Sequence, residues 1–449
     1  MWLALVSAIL AVLALNTPLP FLVSVALAPF FYYLLRENRW SRIIVATLLF
    51  RLLFLFGTTY FVLDPLLYLT SILWFIGFAV SIQLTKKYGS LALALIALPF
   101  LWTLWDYLQA RFTLLPTTMV MLGAPLGETS LVGLSRLGGI IGLTFFVACG
   151  NMLATALLLF WQTRFRWKIL GVFGCLWGIG WLIASAFLIQ NQKQYNARLR
   201  QLEIALIASP KSQLEVIQSL LTMPLATSPE LVVIPETFYT STIENADSLL
   251  AVYAQAARHW QTNLFAVSLR PEAGKLYKSG ILFSPEGIPA AIYNKNHLTI
   301  TSETWPFAHW RPWYLNRYAE QISSVEKQRA IFDPRYEITA GMPTILHTSN
   351  YSFAAPVCGE LFYPEYLWSL NQQQPDFILH NTNNSWIKNN LAQYLRLTNR
   401  VRRITAVWLQ KPVVVTGVAD QAGVFYPNGE VMLAPRTQNT IIMPITIRF

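Results

Sequence analysis

Hydrophobicity is distributed so unevenly along this chain that it limits the possible architectures to a few. Residues 1 to about 190 form an almost unbroken series of apolar runs, whereas the rest alternates polar and apolar stretches like an ordinary soluble domain. Charged residues make up 12% of the 449 positions. Soluble globular chains carry roughly 25%, so the first part belongs in lipid. Runs at about 2–16, 19–35, 43–62, 65–84, 90–108, 138–160 and 169–189 mostly approach the ~20 residues that cross ~30 Å of hydrocarbon. The first run lacks a basic leader and six more follow, so it reads as a span rather than a cleaved signal. The expected division is a transmembrane bundle of about seven helices over 1–189, a polar linker over 190–201 (NQKQYNARLR at its centre) and a second domain over 202–449.

Basic residues then orient the bundle. Arg36, Arg39 and Arg42 follow the second run, Lys86 and Lys87 the fourth, and Arg164, Arg166 and Lys168 the sixth. These are alternate loops and therefore share one side, the cytoplasmic one by the positive-inside rule. Seven spans with a cytoplasmic N-terminus bring the second domain out on the opposite, periplasmic or extracellular, face. The net charge of +11 thus points to anionic lipid; no nucleic-acid-reading pattern accompanies it. Arg51, inside the third run, is near enough to the cytoplasmic end to snorkel. Gly138, Gly139 and Gly142 have no preceding strand and suit close helix packing rather than phosphate binding.

Beyond the linker, short β-branched runs (LEIALIA, LVVIP, NLFAVSL, SGILFS, AAIYN, TILHT, FAAPV, DFILHN, VVVTG) alternate with helical patterns through Val216–Thr222, Ala246–Gln261 and Leu391 to about Gln410. This is an α/β order. Pro427-Asn428-Gly429-Glu430 reads as a hairpin turn.

Three residues stand just after predicted strands, where a sheet fixes the backbone and the side chain projects into a cleft. They are Glu236 after LVVIP, Lys295 after AAIYN, and Cys358 after FAAPV. Cys358 is the one cysteine in the polar part; Cys149 and Cys175 sit within apolar runs as small hydrophobes. Gly359 permits a sharp strand-to-helix turn, and the amides of the following helix would favour a thiolate. A thiol needs a base, and its tetrahedral intermediate needs a positive donor; a carboxylate and a lysine supply both. Each residue alone has an ordinary structural explanation, but together, in the order Glu–Lys–Cys and each after a strand, they specify a nucleophilic site. No G-x-S-x-G elbow is present. The five histidines lack metal-ligand spacing, so neither metal nor cofactor is expected.

The segments PELVVIPETF, YNKNHL and APVCGELFYPE resemble the three catalytic segments of the nitrilase superfamily of carbon–nitrogen hydrolases. A nitrilase-like domain behind a polytopic half resembles, more narrowly, the apolipoprotein N-acyltransferases, as does APLGETSLVGLSRLGGIIGLTFFVACGN. The fold this implies is a polytopic α-helical membrane bundle followed by an α/β nitrilase-like α-β-β-α sandwich. The resemblance carries over Glu236 as base, Lys295 as oxyanion donor and Cys358 as nucleophile, with Glu303 and Glu360 as accessory carboxylates. NTNNSW matches at Asn383 and Trp386. Trp305, in the aromatic segment TWPFAHWRPWYL, suits either a lipid-facing lid or the domain core. The implied activity moves a fatty acyl chain from a phospholipid, through a Cys358 thioester, to the N-terminal amine of a lipoprotein. The implied location is the bacterial inner membrane, catalytic domain on the periplasmic side.

The sequence departs from that family in three respects. It ends at Phe449 with TIIMPITIRF, where the family has a further span. Gly359 replaces an aromatic residue, and Asn384 replaces an aspartate. Alternative readings are a conjugal-transfer protein of the TraB type, which shares this layout, a membrane-anchored amidase, and a catalytically silent scaffold; the intact Glu–Lys–Cys set argues against the last.

Overall fold

The computed structural model describes residues 1–59, 65–112, 118–209, 225, 228–236, 246–299, 303–304, 338–385, 387, 389–436 and 439–449. The expected helix at Val216–Thr222 and the positions of Trp305 and Trp386 lie outside them. The chain forms two compact units: residues 1–193, 389–410 and 427–429, and residues 194–388, 411–426 and 430–449.

The first unit is helical. It contains α1 (Trp2–Asn16), α2 (Val23–Ala26), α3 (Ala28–Arg36), α4 (Trp40–Thr59), α5 (Pro65–Trp74), α6 (Ile76–Tyr88), α7 (Leu91–Phe112), α8 (Gly139–Leu159) and α9 (Phe165–Asn196, which ends just inside the second unit). Among the described residues, five stretches are long and apolar enough to cross a membrane: Trp40–Thr59, Tyr68–Tyr88, Leu91–Phe112, Gly139–Leu159 and Phe165–Asn196. The first two expected spans form the shorter apolar helices Trp2–Asn16 and Pro20–Arg36. The second is broken at Leu27 because Pro29 has no N–H to give the helical ladder. Asn151 of α8 mends the break, its Oδ1 accepting from the Leu27 N–H at 2.7 Å and its Nδ2 donating to the Val23 carbonyl at 2.8 Å. A polar side chain filling a gap in a helix ladder is how broken backbone survives in an apolar setting.

Arg51 does not snorkel. It is 1% exposed, with its guanidinium over the rings of Phe54 and Phe75 and an electrostatic partner in Asp106 of α7. Residues 190–196, expected as linker, instead continue α9, since NQKQYN contains neither Gly nor Pro to stop a helix.

The second unit is two six-stranded sheets with α10 (Ala246–Trp260) and α11 (Pro364–Gln372). The first sheet has the order β12-β1-β2-β3-β4-β5 and the second β11-β10-β9-β8-β7-β6. The strands are β1 (Gln201–Ala208), β2 (Leu231–Val233), β3 (Asn263–Glu272), β4 (Lys275–Phe283), β5 (Pro289–Asn294), β6 (Ile345–His347), β7 (Ser352–Ala354), β8 (Phe377–Asn383), β9 (Val413–Val418), β10 (Gly423–Phe425), β11 (Val431–Leu433) and β12 (Ile441–Arg448). Each sheet has three parallel strands at its centre, β1-β2-β3 and β7-β8-β9, flanked by antiparallel ones. The central strands read as continuous apolar runs because both faces are covered; every residue of β8 and β9 is buried. The sheets meet face to face, Phe265 of β3 packing edge-on to Phe353 of β7. On the outer side of the first sheet, Tyr253, Ala256 and Ala257 of α10 close over Val232, Leu264, Ile281 and Phe283. The expected turn joins β10 to β11, with Gly429 at φ 84° and the Tyr426 N–H bonded to the Glu430 carbonyl.

The remaining helix, α12 (Leu391–Leu409), lies in sequence within the expected 202–449 domain but is part of the first unit. Its Arg400 is 1% exposed. Arg396 donates to the carbonyls of Asn16 and Thr17 at 3.0 Å each, and Arg400 to that of Leu15 at 2.6 Å, so both cap the open carbonyl end of α1. Both also pair with Glu128. Gly139, at φ 61°, begins α8 against the Trp408 ring, where a Cβ would come within 2.9 Å.

Candidate active site

Four charged side chains converge within the second unit. Glu236 follows β2 and is 1% exposed; Lys278 lies on β4, Lys295 follows β5, and Glu303 lies eight residues beyond Lys295. Lys295 Nζ donates to both Glu303 oxygens, at 2.9 and 2.7 Å. Lys278 Nζ donates to Glu303 Oε1 at 2.6 Å and makes a close ion pair with Glu236 Oε1. Two carboxylates and two ammonium groups thus alternate in one buried ladder. The other Glu236 oxygen, Oε2, is buried and has no hydrogen-bond partner among the described residues. An unpaired buried acceptor is costly. The Glu236 backbone is fixed from the facing sheet, where Asn381 of β8 accepts from the Glu236 N–H and donates to the Ile234 carbonyl, both at 2.7 Å.

Cys358 interacts electrostatically with all four groups. The expectation that Gly359 makes the sharp turn is corrected: the left-handed residue is Cys358 itself, at φ 54°. That conformation costs a non-glycine residue roughly 1–2 kcal/mol, and the neighbouring bonds hold it. His380 Nε2 lies 2.8 Å from the Cys358 carbonyl oxygen. A Cβ at Gly359 would meet only the Thr299 hydroxyl, at 3.6 Å.

Glu360 ties the nucleophile turn to the exit of β5. It accepts from the Val357 N–H at 2.8 Å, the Asn296 N–H at 2.7 Å, the His297 N–H at 3.0 Å and the Tyr293 hydroxyl at 2.6 Å. His297 stacks on Tyr363 at 4.1 Å and is a packing residue here.

The thiolate-favouring helix end expected after Cys358 is a single five-residue 3-10 turn. Burial dominates instead and, with Glu236, pushes the thiol up to about 11 against the opposing pull of Lys295 and Lys278. Cys358 therefore rests as a thiol near neutral pH. Burial also works against charge on Glu303, but Lys278 and Lys295 outweigh it and hold the carboxyl down at about 2. Burial likewise opposes the Lys278 ammonium, yet Glu236 and Glu303 hold its pKa above the ordinary lysine range. Alkylation of Cys358 by iodoacetamide is accordingly expected to be slow at pH 7. It should climb about tenfold per pH unit through pH 9, as the thiolate fraction grows; a rate already flat by pH 8, followed by peptide mass, contradicts this.

Of the residues expected from sequence, Glu236, Lys295, Cys358, Glu303 and Glu360 come together. Asn383 ends β8, where its Oδ1 accepts from the Ser385 hydroxyl at 2.7 Å while its Nδ2 is buried with no partner among the described residues. Asn384 donates to Asp420 at 3.0 Å, a contact that an aspartate at 384 would turn into repulsion. Sequence reading missed Lys278. Its signal was a charge in register with Leu276, Gly280 and Leu282, on the face of β4 opposite the Ile281 and Phe283 that pack under α10.

Two facing sheets that bring a cysteine together with glutamates and lysines define an α/β class with a candidate thiol site. A family model for carbon–nitrogen hydrolases matches residues 196–445, and the chain belongs to that family. The apolipoprotein N-acyltransferase of Chlorobaculum tepidum is 26% identical over 343 residues, which make up 67% of this chain and 61% of that protein. The match therefore spans less than two thirds of that relative's length. Among solved structures, a carbon–nitrogen hydrolase from Helicobacter pylori G27 covers 55% of this chain and 89% of its own, at 15% identity and a TM-score of 0.40. Nit3 of Saccharomyces cerevisiae covers 56% and 91%, at 16% identity and a TM-score of 0.40.

Proposed function

We propose that this chain is a membrane acyltransferase that moves a fatty acyl group from a phospholipid, through a thioester on Cys358, to the N-terminal amine of a lipoprotein. The observation that carries the proposal is the buried Glu236 Oε2, unpartnered among the described residues beside a protonated thiol, in a chain that also holds five helices long enough to cross a membrane. The Cys358 proton passes to Glu236 as sulfur attacks the ester carbonyl. Lys295 stabilises the oxyanion, and collapse expels the alkoxide, which recovers the proton from Glu236. The amine then attacks the thioester carbonyl and gives a proton to Glu236; the C–S bond breaks, and the departing Cys358 sulfur takes that proton back as a thiol. Similarity to an apolipoprotein N-acyltransferase supports both acyl donor and acceptor.

The first unit supports a reading of the side of the membrane. Among its contacts, α12 meets Leu15, Asn16 and Thr17 at the C-terminal end of α1, Glu128 between α7 and α8, and Gly139 at the start of α8. With the basic loops cytoplasmic, these contacts support an extracytoplasmic position for α12 in a bacterial inner membrane.

Full-length protein incubated with phospholipid vesicles is expected to carry a hydroxylamine-labile acyl mass on the Cys358 peptide, absent in Cys358→Ala. An unmodified peptide in the wild type overturns the lipid-acyl reading. A thioester that forms but never restores N-acylation in a strain lacking that activity points to water or another amine as acceptor, the amidase and conjugal-transfer alternatives among them.

A further inference from the structure

We infer that Lys278 is a positioning residue of this site, holding Glu236 turned so that Oε1 is occupied and Oε2 is left for the proton of Cys358. The lysine is 3% exposed on the inner face of β4, and its ammonium bridges Glu236 Oε1 and Glu303 Oε1. Glu303 in turn is held by Lys295. The link from Lys295 to Glu236 therefore runs through Lys278, and movement of any one member displaces the others.

Charge balance shows why a second cation matters. With Lys278 the ladder is neutral, each of its two carboxylates facing an ammonium group. Without it, Glu236 and Glu303 face Lys295 alone, and the site carries an excess negative charge just where a thiolate and then an oxyanion must form. Glu360 already presents a further carboxylate to Lys295. The tyrosines around the nucleophile, Tyr293, Tyr363 and Tyr366, supply no positive charge. Lys278 keeps its protons throughout. The moving proton goes from sulfur to Glu236 Oε2 and from there to the leaving group, so the net charge of the ladder and nucleophile together is the same before and after the transfer.

The inference rests on Glu236 acting as base but not on the lipid substrate, so it is tested without lipid. The rate of Cys358 alkylation by iodoacetamide is measured against pH on full-length protein in detergent. Lys278→Met keeps the length and removes the charge; its profile is expected to move up by about one pH unit, a fall of roughly tenfold at pH 8. Lys278→Arg keeps the charge and is expected to stay within about twofold of wild type. A Met variant with the wild-type melting temperature and the wild-type profile overturns the inference. So does a pattern in which Arg loses the activity and Met retains it, which marks packing rather than charge. Breaking a buried ion pair is strongly destabilising, so Lys278→Met/Glu303→Gln, which removes one charge of each sign, is the folded alternative. Its profile stays displaced if the direct bond to Glu236 matters and returns to wild type if it does not. The acyl-adduct experiment fails or succeeds independently of these rates.

Discussion

Glu360→Ala is expected to destabilise the two-sheet unit by on the order of 5 kcal/mol, and to abolish selective reactivity of Cys358. The carboxylate is wholly buried and receives three backbone N–H groups and a phenol. Each buried donor left unpaired costs roughly 1–3 kcal/mol, and relaxation recovers only part of that. A loss of this size approaches the whole stability of a typical domain, about 5–15 kcal/mol. The bonds join the Val357 turn to residues 293–297, so the alanine variant frees Cys358 and Lys295 to move independently. Burial raises the Glu360 carboxyl above its ordinary range, opposed by Lys295 and by the bonds from Tyr293, Val357 and His297. Glu360→Gln keeps one acceptor but turns an NH₂ toward a donor, and should lie between. Thermal unfolding of the full chain in detergent, read with Cys358 alkylation, checks this. An alanine variant that melts like wild type removes Glu360 from the role described.

Glu128→Ala should be nearly as damaging in the helical unit. It leaves Arg400, 1% exposed, without its carboxylate. Removing one partner of a buried pair costs about 3–5 kcal/mol; the remaining Arg400 bond to the Leu15 carbonyl offsets a part. The more exposed Arg396 contributes less, for its charge is partly solvated. The paired double variant Glu128→Leu/Arg400→Leu should recover much of the loss, since the charge is then no longer stranded. The pH dependence has a definite sign. Burial raises the Glu128 carboxyl, but the bonds and charges of Arg396 and Arg400 outweigh it and lower it below the ordinary 4.5. The unfolded chain therefore binds a proton first as pH falls. The stabilisation is complete above about pH 4.5 and is lost as pH drops through the folded value. Melting temperature between pH 6 and pH 3 should fall more in wild type than in the double variant; equal slopes contradict the pairing.

The site was legible in sequence wherever a polar residue followed an apolar strand, as at Glu236, Lys295 and Cys358. Lys278 was hidden because it lies within a strand, where one charge among KLYKSGILF passes for a solvent-facing residue. β12 escaped for a similar reason. Pro444 argues against a strand, yet β12 is an edge of its sheet, where a missing N–H is tolerated. Conformation at the nucleophile was assigned one residue too late, since a glycine is the expected holder of positive φ and Cys358 takes it instead. The partners of Arg396 and Arg400 were beyond any local pattern: Glu128 and the end of α1 are remote in sequence from α12.

The membership of α12 in the helical unit bears on biosynthesis. The spans are made first, but the arginines that close the open end of α1 are synthesised only after the whole of residues 197–390. Until then Glu128 and the carbonyls of Leu15, Asn16 and Thr17 await partners that do not yet exist. The bundle therefore matures late, completed by a helix taken from the middle of the hydrolase segment. Cutting the chain after α9 would release neither half whole: the first piece would lose its closing helix, and the second would carry a stretch of arginines with nothing to receive them.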